Sequence, residues 1–417
     1  MLEVRGFRGY SFSPDKVGAL DHVVTPPWDV ITPDERRTMV ARNPYCMARV
    51  MLPEPEHGLD RYEAAARNVD AWIAEGALRQ ETADTFYLLE QTFTGADGTT
   101  KVRRGFLGVS RLPEPGEKLV LGHERTFQGP VDDRVRLTVA TRANLEPVFV
   151  LYSDPEQALA PFLGQMDARP PDMQMTTFDG VLQRAWRVPQ DDAVTAFFRG
   201  QTLYIADGHH RFRTATVYRD TMRAQEQPDG PRPYDYILMG FVSFSDPGLQ
   251  IDPPHRLVPM PEDFSALAFL DALAPWFEVE PVTADLPARL AVQPGCAFGL
   301  AIRGHGEYLL TLRDIDRVAM LGDDHGAAWR NLDIAVLHRG IIERLLGLPA
   351  DTQFAYVHNA EKALESVRND ESGLAFLVKP VHPEEVRACA EDGDPMPQKA
   401  TYFFPKLPTG IAIHRLA

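Results

Sequence analysis

The sequence predicts a mixed α/β fold of the α+β kind, and three observations carry that expectation. Two strand-like runs, 86–93 and 102–110, are separated by Gly95-Ala96-Asp97-Gly98, the turn chemistry of an antiparallel hairpin. Midway along the chain the apolar run Leu203-Tyr204-Ile205-Ala206 ends in Asp207-Gly208, and a helix opens on His209-His210-Arg211. From about residue 260 a second series of helices and strands begins, so we divide the chain into 1–258 and 259–417, with the boundary between 255 and 265.

Taken in order, Ser13-Pro14-Asp15-Lys16-Val17 has the pattern of a helix start. In Val23-Val24-Thr25-Pro26-Pro27-Trp28-Asp29-Val30-Ile31 the two prolines force an extended path and remove two donors, which makes a loop. Such a loop could place Trp28 and Asp29 at a site, or Trp28 could simply plug the core. Thr32-Pro33-Asp34-Glu35 combines a capping box with proline at the first helical position, and the helix should run to about Arg42 and stop at Asn43-Pro44. Residues 59–75 read as an amphipathic helix with Tyr62, Ala66, Val69 and Ile73 along one stripe.

Next comes a dense polar stretch, His123-Glu124-Arg125-Thr126, ahead of a helix expected from Asp132 to about Asn144. A carboxylate flanked by an imidazole and a guanidinium can have its protonation tuned, as a general base requires. The plainer reading is an ion-paired corner in which Glu124 bonds an arginine. A strand at 146–152, a helix at 191–199 and a strand at 236–243 follow. Pro253-Pro254-His255-Arg256 offers a weaker anion contact and reads better as a turn. Beyond it we expect helices at 264–273, 334–345 and 382–390, and strands at 297–302, 307–312 and 373–378. The tail, 396–410, sets Lys399 and Lys406 around an aromatic strand. It either returns to the site or forms a plain edge strand with exposed lysines.

Composition narrows the function classes. A chain of 417 residues with 44% hydrophobic and 24% charged residues has the balance of a soluble globular protein. No run approaches the ~20 apolar residues of a membrane span, and the first six residues lack a signal core, which points to the cytoplasm and away from a membrane partner. Cys46, Cys296 and Cys389 are too widely spaced for a disulfide framework or a zinc site and read as buried free thiols. A net charge of −16 argues against nucleic acid as a partner but leaves room for a local basic pocket holding a small anion.

Residues 207–211 are the natural place for that pocket. Gly208 permits a turn that a Cβ would resist, the helix start turns N–H groups and a partial positive charge outward, and His209, His210 and Arg211 add donors suited to phosphate. Adjacent histidines diverge, so a shared zinc site is disfavoured. The competing reading is an ordinary strand–turn–helix connection with solvated charges.

Thr25-Pro26-Pro27-Trp28-Asp29-Val30-Ile31, His123-Glu124-Arg125-Thr126, residues 138–145, Asp207-Gly208-His209-His210-Arg211 and residues 396–410 together resemble the DUF1015 family across essentially the whole chain. Asp207-Gly208-His209-His210-Arg211 also resembles the phosphate turn of the ParB/sulfiredoxin-like fold, in particular that of the ADP-dependent free serine kinases. The resemblance implies a ParB/sulfiredoxin-like core with an additional C-terminal α/β region. It implies that Asp207, Gly208, His209, His210 and Arg211 hold nucleotide phosphates, with Asp207 toward Mg2+, and that a glutamate serves as base. We take Glu124 as that base on local chemistry, with Asp29 competing and His123 beside it. Arg125 and Thr126 are assigned to the phosphates, and Trp28, Lys399 and Lys406 to a small-molecule substrate. The family pattern has tyrosine at Trp28, lysine at Val131 and serine at Ala400, so this chain lacks two polar groups there. The expected activity is a phosphotransferase using ADP or ATP, or CTP, on a small hydroxyl-bearing metabolite such as serine. A nucleotide-sensing module and a phosphoester hydrolase are the alternatives. The oligomeric state is not legible in the sequence.

Overall fold

The computed structural model describes residues 1–417, and the mixed α/β expectation holds. Two compact units form. The first comprises Met1–Gly122, Thr126–Gln250 and Pro405–Ala417; the second comprises His123–Arg125 and Ile251–Phe404.

The first unit is built on a nine-stranded sheet. Its hairpin, Thr85–Thr94 with Thr100–Arg111, is antiparallel and turns where the glycines predicted. Tyr236–Ser243 pairs antiparallel with Thr100–Arg111 and parallel with Val148–Tyr152, which in turn pairs antiparallel with Leu203–Asp207. These central strands are apolar because both faces are covered. Phe106 stacks on Phe241 with ring centroids 4.8 Å apart and also meets Phe86, Phe162 and Phe198 edge-on, making one aromatic core.

The helices start where their caps dictate. Thr32 closes its capping box with Glu35 and the helix runs Pro33–Arg42, ending at Asn43 ahead of Pro44. Asp60 closes a second box with Glu63, opening Arg61–Ala74. There the buried residues are Tyr62, Ala64, Ala65, Val69 and Trp72, so the expected stripe through Ala66 and Ile73 is rotated toward Trp72, whose large ring takes the core position. The next helix corrects a second expectation. It spans Gln128–Thr141 and not 132–144, because Pro130 sits in the first turn, where its missing N–H costs nothing. It stops when Arg142 turns left-handed at φ 47°.

The C-terminal segment completes this unit. Thr409 exchanges two backbone hydrogen bonds with Thr25, at 2.8 and 3.0 Å, and Ile413 exchanges two with Tyr10. His414–Arg415 pairs with Ala143–Asn144. Leu407, Ile411, Ala412, Ile413 and Leu416 are all buried.

The second unit carries a six-stranded sheet in which Ala297–Ile302 lies between Gly306–Leu312 and Leu374–Leu377, all antiparallel. Leu286, Leu290, Leu364, Val367 and Leu377 pack into a core beside that sheet. Pro253-Pro254-His255-Arg256 is not a turn: His255–Val258 is a strand of this sheet. Arg256 is fully buried, and its guanidinium donates to the carbonyls of Pro254 and Lys399 and to His338. The three cysteines are buried and free, Cys46 in the first unit and Cys296 and Cys389 in the second. No helix is long and apolar enough to cross a membrane.

Phe106 lies at the centre of the aromatic core, at 1% exposure. Phe106→Ala should therefore lower the unfolding free energy by about 3–5 kcal/mol, read from urea melts.

Candidate functional site

In the first unit the geometry starts from an irregularity in Leu203–Asp207. Ile205 pairs with Val150 and Asp207 with Phe149, so Ala206 is an extra residue and the strand bulges just before its end. A bulge re-aims the side chain that follows it, here Asp207. Gly208 then adopts φ 91°, and a Cβ there would lie 2.9 Å from the Arg211 guanidinium carbon. Glycine is required twice over, for the backbone and for the arginine that folds back across it. The helix His209–Glu226 opens at once, its first bond running from the Phe212 N–H to the Gly208 carbonyl at 2.9 Å.

A second helix begins beside it. Phe127, the N-cap of Gln128–Thr141, has no side-chain oxygen to offer and donates its N–H to His210 Nε2 at 3.1 Å. The two rings stack, 20° apart in plane with centroids 6.1 Å apart. Accepting at Nε2 makes this imidazole neutral with its proton on Nδ1. Helices of 18 and 14 residues thus have neighbouring N-termini, the longer one opening directly from the Asp207-Gly208 turn.

Charged side chains converge there. Asp207 Oδ2 accepts from Arg211 Nη2 at 2.5 Å, and Oδ1 accepts from Lys406 Nζ at 2.5 Å. Arg211 also donates to the Pro147 carbonyl. Burial pushes the Asp207 carboxyl up, but Lys406 and Arg211 outweigh it and hold the group far below the usual carboxylate range. Lys406 is buried, unlike the exposed lysine of an edge strand, whereas Lys399, in the second unit, is exposed.

Glu146 stands next to this cluster. It accepts the Trp28 N–H at 2.9 Å, and burial raises its carboxyl against the opposing pull of Arg211 and Arg134. Arg134 lies 4.6 Å from the centre of the half-buried Trp28 ring and donates to the Met51 carbonyl at 2.7 Å. A cavity of about 40 Å³ is lined by Arg134, Thr138, Asn144, Glu146, Arg211 and Thr214. Asp29 sits on the Trp28–Val30 turn, exposed, and its charge is felt at both Arg211 and Glu146.

The unit therefore gathers Trp28, Asp29, Asp207, Gly208, His210, Arg211 and Lys406. His209 is buried against Gly122, where a Cβ would meet its ring at 2.9 Å, and Thr126 is exposed beside Phe127. The other expected residues belong to the second unit. There His123 Nε2 is 3.0 Å from Thr401 Oγ1, and its carbonyl accepts the Met396 N–H at 2.8 Å. Glu124 is half-buried and Arg125 exposed. Val131 and Ala400 are buried, the former in the first unit and the latter in the second.

Sequence reasoning missed Glu146, Arg134, Gln91 and Arg103. The first had one visible signal, a carboxylate directly before Pro147 and a five-residue apolar strand; the others had none. A divalent cation does not fit Asp207 in this arrangement, because both oxygens already accept from cations. Nor does any group of three or more His, Cys, Asp or Glu side chains converge as a metal cluster.

The family described as "Protein of unknown function (DUF1015)" matches residues 4–335. The chain belongs to the DUF1015 family. No match is found among curated proteins. Among solved structures this DUF1015 protein is similar to a free serine kinase in complex with AMP, at 12% identity over 70% of this chain and 88% of that one, with a TM-score of 0.35. It is also similar to SbnI from Staphylococcus aureus, at 10% identity over 74% and 87% with a TM-score of 0.36. A conserved hypothetical protein from Pyrococcus furiosus matches at 12% identity over 70% and 91%, with a TM-score of 0.34.

Two outcomes follow for the DUF1015 turn. Gly208→Ala should cost about 1–2 kcal/mol in chemical unfolding, since alanine pays for the left-handed conformation. Asp207 has a folded pKa below its unfolded value of about 3.9. Its ion pairs therefore stabilise the fold fully above that pH, and the contribution is lost as pH falls toward the folded value. Acid titration of stability below about pH 4 should consequently be flatter for Asp207→Asn than for the wild type.

Proposed function

We propose that this DUF1015 protein is a nucleotide-dependent phosphotransferase acting on a small hydroxyl-bearing metabolite, with the phosphates held at the Asp207–Arg211 turn. The observation that carries this reading is a pair of neighbouring long-helix N-termini, joined through His210, one of which opens directly from a turn where Arg211 and Lys406 flank the Asp207 carboxylate. Helix starts and paired cations favour multiply charged oxyanions over neutral ligands. The likeness of the turn's sequence to that of the free serine kinases supports the same reading.

Phosphoryl transfer asks the protein for positioning and charge neutralisation more than for covalent chemistry. Arg211, Lys406 and the helix-start amides hold the phosphate oxygens, and His210 keeps the two helices in register. A carboxylate takes the proton of the acceptor hydroxyl as its oxygen bonds to phosphorus. The bridging P–O bond breaks, and the leaving nucleotide keeps the electron pair. Asp29 is the group we assign as this base: it is exposed, it stands at the edge of the Arg211 cluster, and the Glu146 bond to Trp28 N–H fixes the turn that carries it. Glu146 is less suited, being buried and already engaged.

The test is incubation with ADP, ATP or CTP, Mg2+ and pooled amino acids, with phosphorylated products read by mass spectrometry. Arg211→Ala should weaken nucleotide binding by about 10- to 100-fold, the worth of one charge-assisted contact. Asp29→Asn should leave binding near wild type and reduce turnover at least a hundredfold, with Glu124→Gln run alongside as the rival base. Undiminished nucleotide affinity in Arg211→Ala would sink the phosphate-turn reading.

A further inference from the structure

The C-terminal segment carries more than core residues. Residues 405–407 lie outside the part of the chain that matches the family, 4–335, yet they deliver one of the two cations at Asp207. Their backbone is gripped from the central hairpin. Arg103 Nη2 donates to the Pro405 carbonyl at 2.5 Å, and Gln91 Nε2 donates to the Lys406 carbonyl at 3.0 Å. Arg103 and Gln91 are themselves joined, Arg103 Nε donating to Gln91 Oε1 at 3.1 Å. Both are 1% exposed, and Arg103 lies across the face of Phe149 at 4.6 Å. Leu407 packs against Gly240, which has no Cβ to obstruct it. The strap is thus fixed before and after Lys406.

This grip costs desolvation. Arg103 is a buried guanidinium with no carboxylate in contact, and its Nη1 has no hydrogen-bond partner at all. Arg103 feels the fields of Asp246 and of Asp207, and Asp207 in turn is paired with Lys406 and Arg211. At Asp207 itself two cations share one carboxylate, which leaves positive charge at that point for a multiply charged anion.

We propose that residues 405–407 are a cation-supplying strap of the phosphate site: Lys406 takes at Asp207 the place that a divalent metal takes at carboxylate-based phosphate sites, and Arg103 with Gln91 are positioning residues that hold it there. The ligand is a di- or triphosphate group, and the inference rests on the phosphate-turn reading above. Binding of that group by the protein does not require a divalent metal. Lys406 moves its hydrogen bonds from Asp207 to a phosphate oxygen, and Arg103, buried beneath the strap, keeps the ammonium from withdrawing.

The experiment is titration calorimetry on the full chain with inorganic pyrophosphate and with ADP, each in Mg2+ and in EDTA. Wild type should bind both ligands in EDTA within about threefold of its affinity in Mg2+. Lys406→Met should lose about 10- to 100-fold, and Lys406→Arg, which keeps the charge, should stay within about threefold. Arg103→Met should weaken pyrophosphate binding about tenfold. It should also flatten the dependence of affinity on salt, which a merely structural loss would leave alone. Where Lys406→Met fails to fold, Asp207→Asn with and without Lys406→Met leaves no unpaired buried carboxylate, and the double variant should bind about tenfold more weakly than the single. The strap is overturned by a wild type that binds pyrophosphate only with Mg2+, or by Lys406→Met binding at wild-type affinity while Arg211→Ala does not. Normal affinity in Arg211→Ala would instead remove the phosphate-turn reading itself.

Discussion

A largely enclosed carboxylate held by two cations, Lys406 on one oxygen and Arg211 on the other, is the constraint on which this end of the first unit depends. Each partner comes from a different level of the fold. Arg211 is local, four residues along from Asp207, and reaches back only because Gly208 has no Cβ in the way. Lys406 is separated from Asp207 by 199 positions and is held there with the buried C-terminal segment that follows it. Taking three charges out of water is expensive, and their mutual attraction repays it only with good geometry and the remaining hydrogen bonds filled. The strand bulge at Ala206, the Pro147 carbonyl and the Arg103–Gln91 grip supply that geometry. A site assembled this way is stiff before any ligand arrives, which limits what binding must spend on ordering.

What was legible in the sequence was what is encoded locally. The hairpin around residues 95–98, the helix opened by Thr32 and Glu35, the strands 236–243 and 297–302 and the turn at Asp207-Gly208 all depend on neighbours a few residues apart. Composition and spacing therefore exposed them. Errors came where tertiary packing overrides the local pattern. The helix expected from Asp132 starts at Gln128 with Pro130 in its first turn, while Trp72 claimed a core position that a simple stripe gave to Ile73. Pro253-Pro254-His255-Arg256 looked like a turn and became a strand, because Arg256 could satisfy its guanidinium on backbone carbonyls deep inside the second unit.

The turn at Asp207–Arg211 was read from five consecutive residues, but its environment was not. Glu146, Arg103 and Gln91 sit on strands or at their mouths with no motif around them. A buried charge is visible in a sequence only as a polar residue in an apolar run, which fits a solvated edge equally well. Lys406 shows the same ambiguity: its neighbours fitted an exposed edge strand, and only the fold reveals that the ammonium is buried against Asp207.

Two carboxyls near Arg211 are driven in opposite directions by one environment. Asp207 touches two cations directly, so their pull overcomes its burial; Glu146 feels Arg211 and Arg134 less strongly than it feels the loss of water, so its carboxyl is raised. Divergent carboxyls in one pocket commonly mark a division of labour. Here the permanently charged one anchors cations and the raised one holds the Trp28 N–H. In the proposed reaction neither is the proton acceptor, since the first already accepts from two cations and the second is buried and holds the Trp28 N–H. The proposed transfer calls for a carboxylate that is neither buried nor committed. On the Pro27-Trp28-Asp29 turn, whose conformation Glu146 fixes from beneath, Asp29 meets both conditions. In the proposed reaction the rigidity of that proline loop and the burial of Glu146 act together, as a fixed mount for an exposed carboxylate beside the Arg211 and Lys406 cluster.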